Sequence, residues 1–188
     1  MHKKIGLFFG SFNPVHNGHL IIGNYICEYT DIEEVWFIPS PQNPFKKQSE
    51  LLKFTERLEM LIVATKSYKQ FKVLDIENNL PLPSYTINTL NVLQDQYPEN
   101  QFVIIMGADN ILKLPKWKSG EEIINRYEVY VYPRRNYNVN VSYAKIIAAP
   151  QIEISASFIR RGILEGKDLR FFVPRAVWDT ITTKGFYR

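Results

Sequence analysis

Two histidines, three positions apart, are the residues of this sequence whose types and spacing most clearly suggest chemistry. His16 and His19 stand in the run GSFNPVHNGH, with Gly10 at its start and Gly18 between them. Both imidazoles can face one anion at the start of a helix, where unpaired backbone N–H groups also attract phosphate. The two glycines would let the backbone approach such a ligand closely. The stretch therefore predicts a phosphate-binding loop.

A metal site and a plain surface turn are the two alternatives to phosphate for the histidine pair. A zinc site needs three or four ligands such as His or Cys, and the whole sequence contains three His and one Cys. Two surface histidines in a turn would account for an isolated H-x-x-H pattern without any chemistry. The glycines and the surrounding strand–loop–helix pattern favour phosphate over both alternatives.

The elements that must position these histidines can be read from hydrophobic periodicity. Residues 5–9 form an apolar run typical of a strand, and the apolar residues of 20–26 recur at helical spacing. Strands and helices alternate along the whole chain, which predicts an α/β fold with a doubly wound, mostly parallel sheet. We expect one domain over 1–188, with a short helical part from about 155. The predicted strands are 5–9, 34–38, 71–75, 101–106 and 128–133, followed by short segments at 146–149 and 152–154.

A helix is predicted at 54–64, where Phe54, Leu58, Leu61 and Ile62 share one face that would pack on the sheet. Arg57 lies off this apolar stripe. We expect it to be structural or at the surface.

Composition limits the class of protein. The chain has 188 residues, of which 45% are hydrophobic and 22% charged, and its net charge is +4. The sequence contains no run of about 18 apolar residues that could span a membrane. Cys27 is the single cysteine, so no intrachain disulfide can form. We expect a cytoplasmic protein with acidic small-molecule ligands and no nucleic-acid or membrane partner; exposed aromatic residues would permit a homo-oligomer.

The run from Gly10 to His19 resembles the H-x-G-H motif of a nucleotidyltransferase superfamily, which joins ATP to a phosphorylated acceptor and releases pyrophosphate. The resemblance implies a Rossmann-like fold and catalytic roles for His16 and His19. It also implies a catalytic role for Lys46, which matches the basic residue of a P-x-basic segment, although Phe45 replaces the histidine often found beside it. The residues that it assigns to ATP in this run are Gly10, Ser11, Phe12 and Gly18.

A second motif lies at 154–161. Ser155 and Ser157 precede Arg160 by less than two helical turns, which suits phosphate at a helix N-terminus, although helix capping alone would also explain the serines. The stretch resembles the I-S-S/T-T-x-I-R motif of the same superfamily, with Ala156 and Ser157 as departures. The resemblance assigns both serines to ATP and makes Arg160 the catalytic arginine that reaches the triphosphate.

Two further segments resemble one branch of the superfamily, the nicotinate mononucleotide adenylyltransferases. The first is Ser84, Tyr85 and Thr86, which resembles the S-Y-T-x-D-T motif except that Asn88 replaces the usual Asp. The second runs from 107 to 117 and contains an Asp near the nucleotide and a Trp that stacks on the nicotinate ring. The residues that the resemblance assigns to the nicotinate nucleotide are Ser84, Tyr85, Thr86, Asp109 and Trp117.

Together these resemblances imply adenylyl transfer from ATP to nicotinate mononucleotide, which gives deamido-NAD and pyrophosphate in NAD biosynthesis. Mg²⁺ would accompany ATP and bridge phosphate oxygens, with few direct protein ligands and no metal site of its own. A pantetheine-phosphate adenylyltransferase would share the histidine and arginine motifs but not the two acceptor segments. A nucleotide sensor or RNA-binding protein without catalysis is the alternative from another class.

Overall fold

The computed structural model describes residues 2–42 and 51–188. Within them, six parallel strands form one sheet in the order β3-β2-β1-β4-β5-β6. This confirms the predicted doubly wound α/β architecture, because the order changes direction between β1 and β4. The strands are β1 Lys4–Gly10, β2 Glu34–Pro39, β3 Phe71–Val73, β4 Gln101–Gly107, β5 Glu128–Tyr132 and β6 Lys145–Ile146.

Both faces of the sheet are covered, which explains why its central strands are apolar throughout. Side chains alternate between the faces along each strand. In β1, for example, Phe8 belongs to one buried cluster and Leu7 to the other. The first face carries Phe8, Phe37, Ile105 and Tyr130, and the second face carries Leu7, Trp36, Ile104 and Val131.

Helices cover the two faces in separate groups. Buried residues of α1, α2, α6 and α7 join the first-face cluster, whereas those of α3, α4 and α5 join the second-face cluster. The helical part from about 155 thus shares the core of the sheet. The helices are α1 Asn17–Tyr29, α2 Phe54–Thr65, α3 Thr86–Gln96, α4 Ala108–Ile111, α5 Gly120–Arg126, α6 Ala156–Leu164 and α7 Arg175–Lys184, with 3₁₀ turns at Ile76–Asn79 and Leu114–Lys116. In the described part of the chain, no helix has both the length and the apolar character that crossing a membrane requires.

Two predictions about local structure are wrong. The segment 152–154 is not a strand, because the Ile152 carbonyl accepts a hydrogen bond from the Arg134 guanidinium instead of joining the ladder. In α2, Ile62 is 48% exposed, whereas Arg57 is only 1% exposed. The buried face of this helix therefore includes Leu61 of the predicted stripe but is turned away from Ile62 and toward Arg57, whose guanidinium binds a set of backbone carbonyls.

The carboxyl ends of the strands place several of the predicted site residues that the structure describes at one edge of the sheet. The loop after β1 lies beside the loop after β2, since the Ser40 N–H donates to the Gly10 carbonyl at 2.9 Å. α4 begins directly after β4, and Arg134 follows β5. The edge includes the point between β1 and β4 where the strand order reverses, which is where ligands bind in open α/β sheets.

Candidate active site

The loop between β1 and α1 is tightly packed against the protein itself. Phe12 has a φ of 44° and is 2% exposed, and its ring contacts the His19 ring edge-on at 5.0 Å. A Cβ on Gly10 would lie 2.9 Å from the Phe12 ring, and a Cβ on Gly18 would lie 3.0 Å from His16 Nδ1 and 3.1 Å from Ile152 Cγ2. Side chains of the loop and of Ile152 therefore fill the space beside both α-carbons, and the close approach of a ligand to the backbone of these glycines stays a prediction.

The two histidines of the loop lie face to face. Their ring centroids are 3.7 Å apart and the ring planes differ by 20°. The backbone N–H of His16 donates a hydrogen bond to Nδ1 of the His19 ring at 3.2 Å. Because Nδ1 of His19 accepts this bond, the proton of the neutral imidazole is on Nε2, which makes Nε2 the donor atom of His19.

His16 is buried, with 3% of its surface exposed. Burial, with the nearby charge of Arg134 acting in the same direction, lowers the pKa of its imidazole to about 3. The ring is therefore neutral at pH 7. Among the residues that the structure describes, its Nδ1 atom has no hydrogen-bond partner. His16 is also the residue that precedes α1, so it lies at the positive end of that helix dipole.

Arg160 links α6 to the histidine loop. Its Nη1 donates to the Asn13 carbonyl at 2.9 Å, and its Nη2 lies 3.4 Å from Ser157 Oγ. Ser155 is the residue that caps α6, since its hydroxyl accepts the Phe158 N–H at 3.2 Å. The structure thus brings Arg160 and Ser157 to the loop, while the Ser155 hydroxyl is used for the helix cap.

The segment predicted to bind the acceptor lies at the start of α3. Thr86 is the first residue of the helix and Tyr85 precedes it as the N-cap. Ser84 is buried, and its N–H donates to the Gln42 carbonyl at 3.2 Å. The Lys118 ammonium lies 4.5 Å above the Tyr85 ring, which brings the end of the 107–117 segment next to this helix start.

Asp109 and Trp117 lie on the same side of the sheet as α3. Asp109 is in the first turn of α4, and its Oδ1 atom is buried without a hydrogen-bond partner in the described ranges. Trp117 is partly exposed and packs against the second-face cluster, as does Tyr85. Asp109 thus follows the carboxyl end of β4, and the two aromatic rings pack on the second face of the sheet.

Arg134 is a site residue that the sequence prediction left in a polar loop. Its Nη1 donates to the Ile152 carbonyl at 3.1 Å, and its guanidinium lies 5.1 Å from the centre of the Tyr132 ring. A small cavity lined by Arg134, His16, His19 and Tyr132 opens at this point. The position of a cation directly after the carboxyl end of a parallel strand was the signal that could have identified it.

Arg57 is a second residue that the sequence did not reveal as part of the site. Its guanidinium binds four backbone carbonyls, at distances between 2.6 and 3.1 Å. Such a set replaces the hydration that a buried cation loses. The carbonyls belong to the loop after β1, the loop after β2 and the residues before α2: Ser11, Ser40, Pro41 and Leu52.

Glu77 plays a comparable part beneath the acceptor segment. It is 2% exposed, and its carboxylate accepts the hydroxyls of Ser40 at 2.7 Å and Thr89 at 2.9 Å, with Ser84 beside them. Burial raises the pKa of this carboxyl above its ordinary value. Glu77 therefore ties the loop after β2 to α3. Lys46, which was predicted from the loop after β2, lies outside the described residues.

Comparisons with known proteins show the family of the chain. The Cytidylyltransferase-like family matches residues 7–162. Two curated proteins, each named probable nicotinate-nucleotide adenylyltransferase, are 46% identical: that of Christiangramia forsetii over 100% of both chains, and that of Flavobacterium johnsoniae over 98% of this chain and 99% of the other.

Solved structures show the same fold. The nicotinic acid mononucleotide adenylyltransferase of Plasmodium falciparum, complexed with NaAD, superposes with a TM-score of 0.85 at 20% identity and covers 99% of this chain and 98% of its own. A structure titled as a putative nicotinate-nucleotide adenylyltransferase of Vibrio parahaemolyticus superposes with a TM-score of 0.76 at 24% identity, over 99% and 96%. With the full-length identity to the curated relatives, the chain belongs to the nicotinate-nucleotide adenylyltransferases of the Cytidylyltransferase-like family.

Proposed function

We propose that the protein transfers the adenylyl group of ATP to nicotinate mononucleotide, giving nicotinate adenine dinucleotide and pyrophosphate, a step of NAD biosynthesis. The observation that carries the proposal is the position of Arg134 between two groups of residues: the histidine loop, assigned to ATP, and the segment with Asp109, assigned to the acceptor. Its guanidinium lines the cavity beside His16 and His19 and lies 3.8 Å from Asp109 on the acceptor side. Two anionic substrates bound on either side of one cation would have their reacting phosphates close together.

The reaction that we propose needs no protein nucleophile. A phosphate oxygen of nicotinate mononucleotide attacks the α-phosphorus of ATP, a new P–O bond forms, and the bond to the β-phosphate oxygen breaks with departure of pyrophosphate. The protein has to align the two anions and stabilise the charge that develops on the phosphoryl oxygens. Neutral donors and fixed guanidinium groups suit that task.

On the ATP side, we assign the Nε2–H of His19 to the α-phosphate and His16 to the β- and γ-phosphates. Arg160 and Ser157, together with Lys46, would hold the leaving pyrophosphate. The remaining predicted contacts, which would go mainly through the backbone, are those of Gly10, Ser11, Phe12, Gly18 and Ser155. The neutral state of the buried His16 supports a role as a hydrogen-bonding group, because it would not need to lose a proton on binding.

On the acceptor side, we assign Trp117 to stacking on the nicotinate ring and Asp109 to the ribose. Ser84, Tyr85 and Thr86 would bind the same nucleotide at the start of α3. Asp109 Oδ1 has no hydrogen-bond partner among the described residues, which supports this assignment, because a ribose hydroxyl would supply a donor. Arg134 would attract the acceptor phosphate from its place between the two halves.

Mg²⁺ would enter with ATP. Within 2–42 and 51–188, no three His, Cys, Asp or Glu side chains form a group that could hold a metal ion. The ligands of the cation would be mainly phosphate oxygens and water. When bound, it would neutralise charge on the triphosphate. The use of ATP as a substrate also supports a cytoplasmic location.

The proposal is tested by measuring pyrophosphate release from Mg-ATP with nicotinate mononucleotide, nicotinamide mononucleotide and phosphopantetheine in parallel. We expect fast release with the first acceptor alone. Release with phosphopantetheine alone would keep the transfer reaction but overturn the acceptor assignment of Asp109 and Trp117. If the protein binds ATP but releases no pyrophosphate with any of the three acceptors, the result would contradict an enzymatic function and favour a nucleotide sensor.

A further inference from the structure

Asn13 is the point at which three separate parts of the chain meet in the histidine loop. It is 2% exposed. Its side-chain Oδ1 accepts the Tyr187 hydroxyl at 3.0 Å and the Leu52 N–H at 3.3 Å. Its backbone carbonyl accepts Arg160 Nη1 at 2.9 Å. The orientation of this one residue therefore affects where the Arg160 guanidinium lies.

Tyr187 reaches Asn13 from the end of α7. The helix ends at Gly185, whose φ is 65°, and Tyr187 itself has a φ of 65°, which an aromatic residue adopts only where its surroundings hold it. Its ring packs against the first-face cluster. Lys184 fixes the helix end, because its ammonium lies 2.7 Å from a carboxylate oxygen of both Glu56 and Glu59 in α2.

The charges around the Tyr187 hydroxyl determine its role. The guanidinium groups of Arg57 and Arg160 lie close enough for their charges to act on it. Burial outweighs these two cations and raises the pKa of the phenol, so the hydroxyl keeps its proton. A protonated hydroxyl has one proton to donate, and Asn13 Oδ1, 3.0 Å away, is the acceptor that it reaches.

Arg57 holds the same loop at a different point. Its Nη1 donates to the Ser11 carbonyl at 2.6 Å, two residues before Asn13. Because Arg57 fixes the loop at Ser11, removing the Tyr187 hydroxyl would leave the loop in place and loosen it mainly around Asn13. The contribution of Tyr187 can thus be separated from folding.

We propose that Tyr187 is a positioning residue for the adenylyl transfer, because its hydroxyl fixes Asn13 and, through the Asn13 carbonyl, the Arg160 guanidinium. This inference rests on the proposed function for its effect on catalysis. Arg160 is assigned to the leaving pyrophosphate, whose charge grows in the transition state. A misplaced guanidinium should then lower kcat more than it raises the KM for ATP.

The test compares Tyr187→Phe with Tyr68→Phe as a matched control. Both variants lose only a hydroxyl. Tyr68 precedes β3, away from the carboxyl ends of the strands where the site lies, and its hydroxyl donates a hydrogen bond to Glu28. We expect Tyr187→Phe to lower kcat about tenfold with the KM for ATP changed less than about twofold, and Tyr68→Phe to leave both unchanged. An unchanged kcat in Tyr187→Phe, or an equal loss in both variants, would overturn the proposal.

Hydrogen exchange without substrates separates this inference from the proposed function. Backbone amides of residues 11–17 should exchange faster in Tyr187→Phe than in the unsubstituted protein, whereas Tyr68→Phe should match the unsubstituted protein. Faster exchange in a protein that shows no transfer to nicotinate mononucleotide would keep the loop contact and reject the function. Unchanged exchange would overturn the positioning role whichever acceptor is used.

Discussion

Arg134 Nε lies 3.8 Å from Asp109 Oδ1, a distance at which the two charges attract without sharing a hydrogen bond. The carboxylate follows β4 and the guanidinium follows β5, two neighbouring strands of the sheet. Both side chains are partly exposed at the carboxyl ends of these strands. A ligand phosphate can therefore draw on the charge of Arg134 while a ligand hydroxyl reaches Asp109.

Replacement of Arg134 by Ala should raise the KM for the acceptor about tenfold and change the KM for ATP much less, because a cation facing the acceptor phosphate is lost. Arg135→Ala is the matched control, since that side chain is 71% exposed and pairs with Glu153. Steady-state kinetics with each substrate varied in turn measures both constants. A rise confined to the KM for ATP would move Arg134 to the other half of the site.

Replacement of His19 by Ala should lower kcat at least about a hundredfold, because the Nε2–H that we assign to the α-phosphate is lost from a preorganised site. His2→Ala is the control, since this exposed histidine bonds to the Glu99 carbonyl at the opposite end of the sheet. The measurement is the rate of pyrophosphate release at saturating substrates. An unchanged rate in His19→Ala would remove this residue from the mechanism.

The buried His16 should make folding stability depend on pH. Its pKa is about 3 in the folded protein and 6.5 in an ordinary environment. Above pH 6.5 neither state binds the proton, and below it only the unfolded chain does, so stability falls as the pH falls from 6.5 toward 3. Between pH 7.5 and pH 5 this residue should account for a loss of about 2 kcal/mol.

Urea denaturation at those two pH values, in the unsubstituted protein and in His16→Gln, measures this loss. The substitution removes the titrating group, so the stability of the variant should change less with pH. Equal pH dependence in both proteins would contradict a neutral, buried His16.

Glu77 should be far more sensitive to truncation than to loss of its charge. Glu77→Ala would leave the buried hydroxyls of Ser40 and Thr89 without their acceptor and should cost about 3 kcal/mol of unfolding free energy. Glu77→Gln keeps an acceptor and the side-chain volume, and it removes a buried charge, so it should cost about 1 kcal/mol or less. Equal losses in urea denaturation would show that the charge itself is required.

The local parts of this structure could be predicted from sequence. The strands from β1 to β5 and the start of α3 follow from apolar runs and turn residues that lie next to each other in the chain. The positions of the histidine loop after β1 and of Asp109 after β4 follow from the rule that loops after parallel strands converge, whereas Arg160 was identified by its resemblance to the superfamily motif.

The parts that escaped prediction depend on contacts between distant segments. Arg57 is charged and was placed off the buried stripe of α2, but backbone carbonyls from the loop after β1, 46 positions away, make its burial favourable. The Tyr187 contact joins residues 174 positions apart. A pattern of neighbouring residues in the sequence does not indicate contacts between residues so far apart in the chain. The assignments of individual residues to ATP and to the acceptor, and the homo-oligomer, stay predictions.

The separation of helices between the two faces of the sheet has a consequence for how such a protein can diversify. On the proposed assignment, the groups that handle the triphosphate come mainly from the loop, α1 and α6 of the first face, and those that select the acceptor come from α3 and α4 of the second face. Insertions or substitutions on the second face can then alter which phosphorylated molecule is accepted while the donor chemistry is retained. The same scaffold can thus serve new acceptors without rebuilding its reaction centre.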